Sequence, residues 1–144
     1  MLRLASERES LTVIDDQIGA PTSAELLADV TAHALMAALR QPELAGLYHC
    51  VASGQTSWYG YARYVLGQAQ ALGWALMTTA DQVKPTTTAS YPTPARRPLN
   101  SRLDSRRLQA AFGLVMPHWQ QGVARMLREI PKPATQKIQK NERT

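Results

Sequence analysis

The sequence has one cysteine, Cys50, in 144 residues. No internal disulfide can form, and this usage points to a reducing compartment. No run of eighteen apolar residues occurs, so no membrane-spanning helix is expected. The opening "MLRLASERES" mixes acid and base too early for a secretory signal. A cytoplasmic protein without membrane contact is the expectation. Motifs are missing too. There is no G-x-G-x-x-G, no G-x-x-G-x-x-G and no P-loop, so the turn that admits a pyrophosphate between strand and helix is not encoded. None of the five tyrosines has a lysine four residues on; Tyr59 has Arg63 there, ordinary pairing on a helix surface. His33, His49, Cys50 and His118 fit no zinc spacing, and no G-x-S-x-G marks a nucleophile.

What is present is a globular composition: 44% apolar, 19% charged, and a length sufficient for one domain with a real core. The net charge of +5 is unevenly placed, because residues 96–144 hold eleven Lys/Arg against three Asp/Glu. A basic half of this kind can face phosphate, nucleic acid or only water.

Hydrophobic spacing gives a mixed α/β pattern. Residues 1–9 read as the end of a helix, and "LTVID" (11–15) as a β-branched strand stopped by Gly19 and Pro21. Thr22 or Ser23 caps a helix that runs to about Arg40. "GLYHCVA" (46–52) reads as a buried strand, followed by a helix from Trp58 to about Leu72 with Ser57 as its cap. "WALMTTADQV" reads as a further strand, and "KPTTTASYPTPARRP", with four of the nine prolines, as extended or looped. Asp104 or Ser105 caps a short helix ended by Gly113. Pro117 opens the last helix, with Trp119, Val123, Met126, Leu127 and Ile130 at helical spacing. Residues 1–130 form one unit, and 131–144 a basic disordered tail. Three short strands are few for this length, as though other members of the sheet belonged to a segment not in this chain.

Two stretches carry candidate chemistry. Asp15, Asp16 and Gln17 stand where a strand hands over to a helix, the position at which open α/β sheets bind ligands. Their oxygens and amide suit sugar hydroxyls or a base edge, and equally suit an Asx-turn that closes the strand. "ARRPLNSR" (95–102) places three arginines within seven residues. Such forks match phosphates, and they also occur in solvated loops. Trp58, Trp74 and Trp119 read as core or domain-face anchors, with stacking on a base as the other use of such a ring.

As a set, "VIDDQIGAPTSAELLADVTAHAL", "GLYHCVASGQTSWYGYARYVL" and "SYPTPARRPLNSRLDSRRLQAAFGLVMPHWQQGVARMLREI" resemble the C-terminal half of dTDP-4-dehydrorhamnose reductases. The resemblance covers nearly all of residues 1–130, in order. It implies the substrate-binding lobe and last sheet strands of an NAD(P)-binding, Rossmann-like extended short-chain dehydrogenase. The implied reaction reduces dTDP-4-dehydro-L-rhamnose to dTDP-L-rhamnose with NADPH or NADH, for cell-surface polysaccharide such as O-antigen. In that family the dinucleotide fingerprint and the Tyr/Lys dyad lie in the N-terminal half, so this chain reads as a truncated part without catalysis of its own. The resemblance assigns Asp16, Gln17, Pro21 and Thr22 to the loop beside the sugar pocket, and Arg97 to the diphosphate. It also sets Glu25 and Glu129 where some members hold Mg²⁺ across a homodimer. A homodimer or the missing N-terminal half are the implied protein partners, and the dTDP-sugar the implied ligand. The alternative is a stand-alone module that binds a sugar nucleotide or a protein. Nucleic-acid binding is disfavoured, because the arginines alternate with prolines and few aromatics.

Overall fold

The computed structural model describes residues 1–91, 95 and 97–131; the expected tail beyond Pro131 lies outside them. Helix α1 (Leu2–Glu7) leads into β1 (Leu11–Ile14) and the two-residue β2 (Ile18–Gly19). Helix α2 (Ala24–Arg40) is capped by Ser23, whose hydroxyl accepts the Leu26 N–H at 3.2 Å. Strand β3 (Thr56–Ser57) runs directly into α3 (Trp58–Ala71), with Ser57 as cap. Strand β4 (Val83–Thr86), α4 (Arg106–Phe112) and α5 (Trp119–Glu129) follow. The architecture is α/β, as expected.

The sheets are small. β1 and β4 pair in parallel, Leu11 opposite Val83 and Val13 opposite Pro85, while β2 and β3 pair antiparallel. Among the described residues β1 has no strand neighbour besides β4. Pro85 removes one ladder N–H, which an edge strand tolerates.

Three apolar clusters hold the elements together. Ala5, Leu11, Ala62, Leu66 and Val83 join α1, β1, α3 and β4. Ala52, Val65, Trp119, Val123 and Leu127 join α3 to α5, and Val30, Leu108, Phe112 and Met116 join α2 to α4. Leu66 and Leu127 are fully buried, worth about 1.5–3 kcal/mol each in removed apolar surface. Helix α3 therefore serves two clusters at once.

Three expectations change. "GLYHCVA" is no strand: its described neighbours offer only an isolated bridge at its far end, Ser53 to His118. Val51 and Ala52 are buried while Leu47 is exposed, so the composition of a strand is present without a ladder. Within "WALMTTADQV", Ala80–Gln82 is a 3-10 turn with a Thr79/Gln82 capping box, and the strand begins only at Val83. Pro117 stands one residue before the cap of α5, which is His118.

The segment 53–54 is stitched to the start of α5. The Ser53 N–H donates to the Pro117 carbonyl at 2.9 Å, and the Trp119 N–H donates to the Ser53 carbonyl at 3.0 Å. Gly54 follows at φ +81°, and a β-carbon there would stand 2.2 Å from Nε2 of His118. Left-handed backbone and close approach both require glycine at this point.

Candidate functional site

Strand β1 ends at Ile14, and the next three residues divide the work of tying down the turn. The Ser57 hydroxyl donates to Asp15 Oδ1 at 2.5 Å and accepts the Gly60 N–H at 3.0 Å. One buried serine thus caps α3 and fastens it to the end of β1. Asp16 faces the other way. Both of its oxygens accept the Thr88 N–H, at 2.9 and 3.0 Å, and Oδ1 also accepts the Thr88 hydroxyl at 2.6 Å. The Thr88 hydroxyl and N–H hold the Asp16 carboxyl below its ordinary range, since they stabilise the charged form. Gln17 donates its amide to Thr88 Oγ1 at 3.1 Å. Thr22 donates to the Ala20 carbonyl at 3.0 Å and accepts the Ala52 N–H at 3.1 Å.

A cleft of about 1290 Å³ opens beside this turn. Its walls are the open side of β1, the β2 turn, the start of α3 and the 97–101 segment. That segment lies along β2: the Ile18 N–H donates to the Leu99 carbonyl and the Ser101 N–H to the Ile18 carbonyl, each at 2.8 Å. Gln17, Pro21, Thr22 and Arg97 all line the cleft. Asp16 does not line it; its carboxylate is taken up by Thr88. The cleft also has an aromatic side that the sequence reading did not assign to it, with Trp58, Tyr61 and Tyr91 in its lining. Burial pushes the Tyr61 hydroxyl above its ordinary pKa, so it enters the site as a neutral donor and acceptor. The available signal was the position of Trp58, the first helical residue after a Ser cap.

Glu25 and Glu129 do come together, but around a cation of the protein's own. Arg125 bridges them, at 2.6 Å to Glu25 and 3.0 Å to Glu129. Among the described residues no group of three His, Cys, Asp or Glu is placed to hold a metal ion. The Mg²⁺ expected at these glutamates is not supported: both carboxylates are paired with the Arg125 guanidinium. Nor does that end of the sheet offer a dinucleotide cradle. The β1-to-α2 connection has Gly19 as its sole glycine and spends it on β2, so no pyrophosphate cradle forms there. No helix among the described residues is long and apolar enough to cross a membrane.

Fold and cleft together define an α/β lobe with a broad polar and aromatic recess and, among the described residues, no glycine-rich dinucleotide loop. The chain belongs to the family described as "RmlD substrate binding domain", whose sequence model matches residues 1–131. It is 58% identical over 130 residues to the dTDP-4-dehydrorhamnose reductase of Escherichia coli K12, covering 90% of this chain and 43% of that protein. Two solved structures share the fold. The dTDP-4-dehydrorhamnose reductase of Bacillus anthracis in complex with NADP has a TM-score of 0.69 at 31% identity, covering 89% of this chain and 41% of that one. The Clostridium acetobutylicum enzyme gives 0.70 at 27% identity, covering 88% and 40%. The chain thus spans well under half the length of the relatives it matches.

Proposed function

We propose that this chain is the sugar-nucleotide-holding part of a dTDP-4-dehydrorhamnose reductase. The observation that carries this reading is the cleft, which gathers Gln17, Pro21, Thr22 and Arg97 on one recess. The Arg97 guanidinium meets the diphosphate, because its planar fork matches two phosphate oxygens at once. Gln17, fixed by Thr88, presents its remaining amide capacity to sugar hydroxyls, and Pro21 and Thr22 shape the wall. Asp16 supports this wall from behind. The reduction itself, of dTDP-4-dehydro-L-rhamnose to dTDP-L-rhamnose by hydride from NADPH or NADH, needs a dinucleotide cradle and a proton donor. This chain encodes neither the glycine-rich turn nor the Tyr-x-x-x-Lys pair, which the family resemblance places in an N-terminal half; the reading is of a cytoplasmic protein. The NADP held by the Bacillus anthracis relative supports NADPH as the donor.

The test is a pair of measurements on the purified 144-residue chain. Calorimetry with dTDP is expected to give saturable heat, and NADPH oxidation with dTDP-4-dehydrorhamnose is expected to stay at background. Turnover by the chain alone, or a cooperatively folded chain with no dTDP heat, overturns the reading.

A further inference from the structure

We infer that the indole of Trp58 is the stacking platform for the pyrimidine base of the nucleotide, and that Asp15 positions it through Ser57. The inference rests on the sugar-nucleotide reading above. Trp58 is 53% exposed, whereas Trp119 is 5% exposed in the α3–α5 core. Leaving half an indole in water forfeits apolar burial, and here the open surface lines the cleft. The ring is nonetheless held. Tyr61 meets it edge-on, centroids 6.1 Å apart at 89°, and Tyr61 in turn rests on Trp119 at 6.1 Å. This ladder ties the exposed ring to the core. Its backbone is fixed as well, because the preceding Ser57 is clamped between Asp15 and the Gly60 N–H. A preorganised ring of this kind loses little freedom when a second ring stacks on it.

The base is favoured over the hexose as the stacked group. The keto carbon of the hexose must reach the hydride, and this sequence has no loop to hold the hydride donor. The hexose therefore faces the other half of the enzyme, and the nucleotide end is what remains for this chain's own aromatic wall. Arg97 on the same cleft is then available to the diphosphate.

Binding of dTDP, inorganic diphosphate and dTDP-L-rhamnose to the 144-residue chain tests this, by calorimetry and tryptophan fluorescence. Base–aromatic stacking predicts that Trp58→Ala weakens dTDP by about 10- to 100-fold. Trp58→Phe is expected to keep most of the affinity, and diphosphate to bind wild type and Trp58→Ala alike. Asp15→Ala is expected to lower dTDP affinity, and Asp15→Asn, whose amide oxygen still accepts from Ser57, to restore most of it. Circular dichroism of each variant checks the fold. Wild-type dTDP affinity in Trp58→Ala overturns the platform, as does an equal loss for diphosphate or a loss confined to dTDP-L-rhamnose. An inert Asp15→Ala overturns the positioning role. Failure of the wild-type chain to bind dTDP overturns the sugar-nucleotide reading itself, and the platform with it.

Discussion

The two ends of α3 are built on different physics. Its middle and C-terminal turns put Ala62 and Leu66 into one apolar cluster and Val65 into another, with Ala69 also buried, and nothing polar is asked of these side chains. Its first turn carries Ser57, Trp58 and Gly60, held by hydrogen bonds and one close backbone approach, with the indole left open to the cleft. The core end is held by contacts that are individually weak, many and non-directional. The cleft end is held by few contacts that are directional, so a single atom can undo it.

The largest test of this contrast is Leu66→Ala. It removes a fully buried side chain between α3 and the β1–β4 sheet and is expected to cost about 2–5 kcal/mol in urea unfolding. A loss below about 1 kcal/mol would mean that the core end is not the stability centre. Gly60→Ala comes next. In an ordinary helix position alanine would gain up to about 1 kcal/mol over glycine. Here the new β-carbon would stand 2.5 Å from Thr56 Oγ1, so the gain is expected to be lost and dTDP binding weakened. Adding Thr56→Ala should recover the gain, and a purely additive double-mutant cycle would show that the close approach is not the cause.

The smallest effect is on pH dependence. Asp16 titrates below its ordinary value of 3.8 in the folded chain, so its contribution is present above that value and lost as pH falls through the lowered one. Asp104, paired with Arg106, is lowered to about 2 and acts in the same direction between 3.8 and about 2. Hydrogen exchange at the Thr88 amide should therefore quicken as pH falls from 5 towards 2, after correction for intrinsic rates, while amides around Leu66 stay protected. Asp16→Asn should flatten that response. Equal loosening at both places would remove the distinction.

Much of this was legible in sequence. Helices α2, α3 and α5 follow from apolar spacing, α4 from its capping residues and Gly113, and residue type narrowed the α2 cap to Thr22 or Ser23 and gave Ser57 for α3, because these signals are local. The pairing of β4 was not legible. A Lys-Pro-Thr stretch reads as a loop, and only its lie beside β1, where Leu11 meets Val83 and Ile14 meets Thr86, makes it a strand. "GLYHCVA" fails for the opposite reason: its composition is that of a strand, but a strand also needs a partner, which local sequence does not specify. The site divides in the same way. Gln17, Pro21, Thr22 and Arg97 were singled out from type and resemblance, and they line one cleft. Between Asp15 and Asp16, chemistry could not choose. They are the same residue side by side, and the turn alone sends one to Ser57 and the other to Thr88.

The ribbon of β1 and β4 carries one further consequence, for handling the chain in solution. Pro85 blunts β4, but Thr12 and Val13 lie along the cleft with no strand beyond them among the described residues. A row of free backbone donors and acceptors is a template for any extended peptide. Kept apart from a covering strand, the weak point at high concentration is therefore colloidal: copies are drawn to add edge to edge while their cores remain intact.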